Sequence, residues 1–390
     1  MELPELEDLR PVGGKRILVR CDFNVPLAGD VITDDLRIRL PIETLVWLLA
    51  DGAEKLSVCS HLGRPKGKPD PKYSMAPVRQ RLNELLSARG ADTSRVELME
   101  NLRYNQGEEA NDPAFVATLI AGQDLYVDDA FGAAHRAHAS IVGPPQFLPS
   151  AAGRVLAREV EVLDGLLQNP QRPFVAVLGG AKVSDKLGVI EALMDKVDAL
   201  VVGGGMCFTF LAAQGHSTGG SLLEESQIGT CERLLASAEA AGKRILLPTD
   251  IVALSPGGVF GAGREPEGEM RLVGPDVPDE WLGLDIGPGS AAAFADEIIS
   301  AATVFWNGPM GVFEDPRFEA GTRAVADAVA ATKGFSVVGG GDSASALKLF
   351  GLDDQVDHLS TGGGASLEFI EKGDLPGLAA LRESAARRGS

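Results

Sequence analysis

Polar residues gathered just after short apolar runs are the groups in this chain best placed to do chemistry. In Arg20-Cys21-Asp22-Phe23-Asn24-Val25-Pro26, Asp22 and Asn24 flank Phe23 and share a face, so both can turn toward a ligand. An Asx turn closing the strand is the plain alternative for that pair. Ser60-His61-Leu62-Gly63-Arg64-Pro65 places a histidine and an arginine three apart around a glycine. Met99 to Tyr104 brings Arg103, and Asp129 to Ser140 brings His135, Arg136 and His138. Arg37 follows the first motif in a helical stretch, where a lone arginine is ordinarily a solvated charge. Arginine grips carboxylate and phosphate with two parallel hydrogen bonds. Repeated supply of Arg and His therefore points to a small anion carrying both groups.

A second set is built from glycine. Of 47 glycines, 13 lie in residues 1–170 and 34 in residues 171–390, so the two halves differ in kind. Gly203-Gly204-Gly205, Gly339-Gly340-Gly341 and Gly362-Gly363-Gly364 each end a strand-like run, as does Gly179-Gly180. Glycine lets backbone turn sharply and approach a phosphate closely. Lys182 and Lys186 follow Gly179-Gly180 and, four apart, would share a helix face. Cations near a helix start oppose the macrodipole unless an anion lies between them; two solvated lysines are the other reading. Asp342 and Ser343 open a helix after the second triplet, where a carboxylate beside phosphates suits Mg²⁺. Asn307 and Glu314 lie on one loop, and Glu314 could hold ribose hydroxyls or simply face water.

The elements that must position these residues alternate between β and α. Strands are expected over 16–22, 55–60, 95–99, 124–128, 173–178, 198–202, 244–248, 303–306 and 335–338. Helices are expected over 76–88, 154–168, 186–197 and 320–332. Such alternation predicts parallel sheets covered on both faces, with ligands outside the carboxyl ends of the strands. Residues 142–153 break structure, and Asn169-Pro170 stops the helix that follows. The expected fold is α/β: two Rossmann-like domains joined by an interdomain helix and hinge. The boundaries are 1–153, a linker helix at 154–170, 171–370, and a helical tail at 371–390.

Composition bounds the partners. Thirty-six Lys and Arg against 55 Asp and Glu give a net charge of −19 and a pI near 4.7. That surface disfavours nucleic acid and anionic membranes. Cys21, Cys59, Cys207 and Cys231 form no C-x-x-C and read as reduced core thiols. With no signal-like apolar segment and no run of the length a membrane span needs, a cytoplasmic monomer is expected. The P-loop pattern and the protein-kinase set are both missing. G-x-G-x-x-A occurs at Gly339 to Ala344, yet no acid ends the next strand to hold an adenosine ribose. A nicotinamide-dependent dehydrogenase is thus a weak alternative, and a non-catalytic sugar-phosphate-binding protein is another.

From Arg20-Cys21-Asp22-Phe23-Asn24-Val25-Pro26 to Ser360-Thr361-Gly362-Gly363-Gly364-Ala365-Ser366-Leu367-Glu368, the motifs in order resemble phosphoglycerate kinase over nearly the whole chain. The resemblance implies reversible transfer of a phosphoryl group between 1,3-bisphosphoglycerate and Mg-ADP, giving 3-phosphoglycerate and Mg-ATP, in line and on domain closure. It implies that Asp22, Phe23, Asn24, Arg37, His61, Leu62, Gly63, Arg64, Arg103 and Arg136 hold the glycerate, with Arg37 reaching the transferring group. Lys186, with Lys182 nearby, would meet the nucleotide phosphates and share the catalysis with Arg37. Gly204, Gly205, Gly283, Asn307, Glu314, Gly340, Gly341, Asp342 and Ser343 would line the ATP/ADP site, with Glu314 on the ribose and Asp342 on Mg²⁺. Three residues depart from the pattern: Cys21 where Val or Ala is usual, Ala133 where Ser or Thr is usual, and Asp128 where Asn is usual. Asp128 would add a charge beside the anion cluster.

Overall fold

Nearly every core strand is buried along its length, which requires helices on both faces of each sheet. The computed structural model describes residues 1–389, and the chain divides into two compact units. Unit 1 is Met1–Asp164 together with the segment from Lys372 onward; unit 2 is Gly165–Glu371. The carboxyl-terminal segment, set apart by the sequence as a tail, is a helix over Pro376–Gly389 and belongs to unit 1. The helix Arg154–Gln168 runs across the boundary between the units.

In chain order the strands are β1 (Arg16–Cys21), β2 (Leu27–Ala28), β3 (Val31–Ile32), β4 (Lys55–Cys59), β5 (Val96–Leu98), β6 (Leu125–Asp129) and β7 (Ser150–Ala152) in unit 1. Unit 2 contains β8 (Phe174–Leu178), β9 (Ala199–Val202), β10 (Arg244–Leu246), β11 (Ile251–Leu254), β12 (Met270–Val273), β13 (Leu282–Ile286), β14 (Thr303–Asn307), β15 (Phe335–Gly339) and β16 (His358–Leu359). The sheet of unit 1 runs β5-β4-β1-β6-β7, all parallel. That of unit 2 runs β10-β9-β8-β14-β15-β16, also all parallel. Both sheets grow first to one side of their founding strand and then to the other. Strand order therefore reverses between β1 and β6, and between β8 and β14, the places where open α/β sheets bind ligands.

The cores follow from this layering. In unit 1, Ile17, Val19, Leu45, Leu48, Val58 and Leu82 bury one face, with the helices Ile42–Ala50 and Ala76–Ala88 laid over it. In unit 2, Val177, Val201, Phe294, Trp306, Val325 and Leu347 do the same. Each such side chain contributes about 1.5–3 kcal/mol on full burial.

The structure departs from the sequence expectation at several elements. Strand β7 falls inside 142–153, where the sequence predicts a break. Two small antiparallel sheets, β2-β3 and β12-β11-β13, depart from the purely parallel scheme. The helix expected over 186–197 spans only Leu187–Met194.

Candidate active site

Every polar motif of unit 1 leaves the carboxyl end of a strand, so the sheet's register brings them together. Asp22 makes the Asx turn: its Oδ1 accepts from the Asn24 amide at 3.2 Å. Its other oxygen pairs with Arg37, so turn and ligand-facing roles coexist. Arg37 is carried by the short helix Leu36–Arg39, anchored by buried Ile38. Asn24 Oδ1 accepts from the Gly63 amide at 2.9 Å, tying the β1 and β4 loops together. Gly63 has φ +58°, and a Cβ there would overlap the Tyr73 ring. Buried Phe23 fixes its loop, its amide donating to Ser60 Oγ at 2.8 Å. Leu62 is buried too, and its backbone bonds both ends of the Asn101 amide.

Positive charge converges here. Arg103 is buried, donates to the Gly63 carbonyl at 2.8 Å, and lies 3.3 Å from Glu109. Burial, and then the neighbouring Arg136 and Arg20, lower its affinity for its proton despite Glu109. Burial pushes His138 down to about 4, with Arg103 and Arg136 adding to the effect. Burial also holds His61 well below the ordinary histidine range, Asp22 opposing. Burial pushes Asp22 up, but Arg37, Arg20 and the Asn24 amide outweigh it and keep the carboxylate ionised. Arg136 Nε donates to His135 Nε2 at 3.1 Å. Arg64 is exposed on the β4 loop, with no hydrogen bond to the cluster among the described residues. Arginines crowded beside neutral histidines form a seat for an anion.

Asp128 does not face that anion. It is fully buried on β6, level with Arg20 on β1. Its Oδ1 accepts from the Ala130 amide at 3.0 Å, while Oδ2 has no hydrogen-bond partner. Burial pushes it up to about 7 from an ordinary 3.8, against the pull of Ala130 and Arg20. Between those values the folded state holds a proton that the unfolded chain has lost. Stability therefore falls as pH rises through this window and levels off above it. Asp128→Asn lacks this term. Its stability relative to the parent is expected to rise by on the order of 2 kcal/mol from pH 5 to pH 8. Urea unfolding at both pH values checks this; an unchanged difference would count against it.

In unit 2 the site begins where β8 meets β14. The Gly179 amide donates to the Asn307 carbonyl at 3.0 Å, and the Gly204 amide to the Met310 carbonyl at 3.0 Å. A Cβ on Gly204, which has φ +65°, would lie 2.6 Å from the Gly180 nitrogen. The first triplet is thus required by loop-on-loop packing as much as by any ligand. Beside it opens a cavity of ≈ 370 Å³. Gly204, Gly205, Gly283, Glu314 and Asp342 line it, together with apolar Phe208, Leu222, Phe260 and Met310. The Phe208 ring lies where a Gly283 side chain would project. No sequence signal announced these apolar walls, which come from four separate stretches of chain.

Lys186, Asn307 and Gly340 form a neighbouring group. Lys186 Nζ donates to Asn307 Oδ1, and Asn307 Nδ2 is buried without a hydrogen-bond partner. A Cβ on Gly340 would lie 2.9 Å from that nitrogen. Burial lowers Lys186 to about 8, with Asp342 and then Asp185 opposing. Gly341, Asp342 and Ser343 form the first turn of the helix Gly341–Phe350, and Ser343 Oγ accepts from the Gly308 amide at 2.7 Å. Asp342 belongs to both groups, facing the cavity and acting on Lys186.

Lys182 corrects the sequence reading. The helix starts only at Leu187, so Lys182 lies in the preceding loop and the two lysines share no helix face. Buried Val183 and the bonds from Ser184 to Glu224 fix that loop, and Lys182 acts on Glu224. Among the described residues no group of three or more His, Cys, Asp or Glu could hold a metal. One carboxylate, Asp342, facing a cavity that would take phosphates still suits Mg²⁺, whose remaining ligands would be phosphate oxygens and water.

An anion seat in one α/β unit and a glycine-walled cavity with a lysine and a carboxylate in the other are the equipment of a two-substrate phosphotransferase. Comparison with known proteins gives the kind. The family model "Phosphoglycerate kinase" matches residues 6–373. Phosphoglycerate kinase of Rubrobacter xylanophilus is 50% identical over 401 residues, covering 98% of this chain and 99% of its own. That of Frankia casuarinae is 54% identical over 407 residues, covering 96% and 99%. The solved phosphoglycerate kinase of Coxiella burnetii matches at 37% identity with a TM-score of 0.87, covering 98% of this chain and 99% of that one. The chain belongs to the phosphoglycerate kinase family, and so is a kinase with a carboxyl acceptor. Nothing favours the dehydrogenase or the non-catalytic binding protein.

Proposed function

We propose that the two residue sets divide the substrates, unit 1 taking 3-phosphoglycerate or 1,3-bisphosphoglycerate and unit 2 taking ATP or ADP with Mg²⁺. The crowding of Arg20, Arg37, Arg103 and Arg136 around neutral His61 and His138 carries this reading. A bound anion would relieve their mutual repulsion beyond what Asp22 and Glu109 already supply. The acceptor carboxylate is ionised at pH 7, so no general base is needed. His61 and His138 are neutral hydrogen-bond donors, not proton acceptors for the reaction. Asp22 and Asn24 would take the ligand's hydroxyl, and Arg37 would neutralise the phosphoryl group in transit. Lys186 would hold nucleotide phosphates, Glu314 the ribose, and the Phe208–Gly283 wall the base. When bound at Asp342, Mg²⁺ supplies charge neutralisation across the phosphates. Catalysis is then alignment plus electrostatic stabilisation of a metaphosphate-like transition state.

Direct transfer requires both substrates to meet, so small-angle scattering with both bound should report compaction. The acidic surface and four buried free cysteines fit a cytoplasmic monomer. No helix among the described residues is long and apolar enough to cross a membrane. A coupled assay with 3-phosphoglycerate and Mg-ATP tests the reading. ADP should form only when both are present; binding of 3-phosphoglycerate without ADP formation would sink it.

A further inference from the structure

Behind the anion seat lies a buried polar chain. Arg20 is fully buried near the end of β1. Its Nε donates to Ser140 Oγ at 2.9 Å, its Nη1 to the Cys21 carbonyl, and its Nη2 meets His61 Nδ1 at 3.1 Å. Ser140 is fixed in turn. Its hydroxyl donates to Glu108 Oε1 at 2.6 Å, its amide to Glu108 Oε2 at 3.0 Å, and its carbonyl accepts from Tyr126 at 2.7 Å. Glu108, Ser140 and Tyr126 are all buried. Every branch of the guanidinium is thereby used, and its plane is set by three partners on different elements.

Arginine has donors only and keeps its charge in proteins. A hydrogen bond between Arg20 and His61 Nδ1 is possible in one sense alone: Nδ1 accepts. The imidazole proton must then sit on Nε2. Burial opposes a second proton on the ring; the Asp22 carboxylate favours one, and the charges of Arg20, Arg103 and Arg37 oppose it, so the ring stays neutral. We propose that Arg20, held by Glu108 through Ser140, is a positioning residue that fixes His61 as the neutral Nε2–H tautomer, so that His61 meets the substrate anion as a hydrogen-bond donor whose charge does not change near pH 7. This rests on the reading of unit 1 as the glycerate site. The arrangement resembles a ligating histidine held by the partner of its other nitrogen, with a guanidinium in place of the usual carboxylate. The usual carboxylate fixes Nδ1 as donor; the guanidinium fixes it as acceptor.

The test is ¹⁵N–¹H correlation spectroscopy of the full chain with ¹⁵N-labelled histidine. The chain has five histidines, and His61→Gln assigns the His61 signals by their loss. His61 is expected to show a protonated Nε2 and a bare Nδ1, unchanged from pH 6 to pH 8. An Nδ1–H tautomer, or an imidazolium at pH 7, overturns the proposal without any Arg20 variant being made. Removing Arg20 alone would strand the buried Glu108 charge, so Arg20→Met is combined with Glu108→Gln. The pair should raise the KM for 3-phosphoglycerate about tenfold, lower kcat much less, and shift both His61 nitrogens. In a His61→Gln background the same pair should change that KM by less than about twofold. Equal factors in the two backgrounds would show a merely structural role and overturn the proposal. Adding 3-phosphoglycerate to the parent protein should shift His61 Nε2. If the tautomer is as stated but 3-phosphoglycerate leaves it unmoved, the glycerate reading fails and the tautomer assignment stands.

Discussion

Arg37→Ala is expected to lower kcat about a thousandfold while leaving the affinity for ATP unchanged. Arg37 is half-buried and paired with Asp22, and it stands on a four-residue helix held in place by Ile38. Arg37 belongs to unit 1 and the glycine-walled cavity to unit 2, so nucleotide binding should not respond. Its loss also removes the strongest of the charges that keep Asp22 ionised against burial. Arg37→Lys should recover only part of the rate, because an ammonium offers a point charge where the guanidinium offers a planar fork. Steady-state kinetics and equilibrium ATP titration check both halves. Near-normal turnover of the alanine variant would take Arg37 out of the chemistry.

Lys186→Met should lower kcat/KM for ATP about a hundredfold, and should also remove a pH dependence. Burial lowers Lys186 to about 8, so the free enzyme loses this ammonium as pH rises through that value. Since kcat/KM follows ionisations of the free enzyme, it should decline above pH 8 in the parent protein. Bound phosphates favour the charged form, so the decline in kcat should begin at higher pH. A methionine variant that keeps the same alkaline decline would show that some other group causes it.

The sheets were legible because parallel strands must be apolar throughout, and Phe174–Leu178 or Ala199–Val202 can hardly be anything else. Strand β7 was not, since Ser150, Ala151 and Ala152 are small and follow a Gly-Pro-Pro segment. Nor were β12, which is mostly exposed, and β13, which Gly283 interrupts. Residue type and position after a strand single out Asp22, Asn24, His61 and Arg103, which the fold gathers at the carboxyl ends of the unit 1 strands. They were not enough for Lys182, where spacing suggested a helix face and the helix began five residues later, at Leu187. Arg20 stands within the first motif, but nothing in its sequence neighbours marks it out. Its importance lies in what surrounds the guanidinium, and Ser140 and Glu108 are far away in sequence. The apolar cavity walls share that obscurity, because Phe208 or Met310 could serve any core.

The helix Pro376–Gly389 closes on unit 1 against Ala139–Val142, Pro144–Gln146 and β7. Unit 2 is therefore an insertion into unit 1, entered at Gly165 and left after Glu371. On the ribosome this reverses the usual order of completion, in which the amino-terminal domain finishes first. All of unit 2 is synthesised before the returning segment of unit 1, from Lys372 onward, is made. The half of the molecule whose synthesis starts first is the half that must wait, since the helix that packs on β7 comes only after the whole of unit 2.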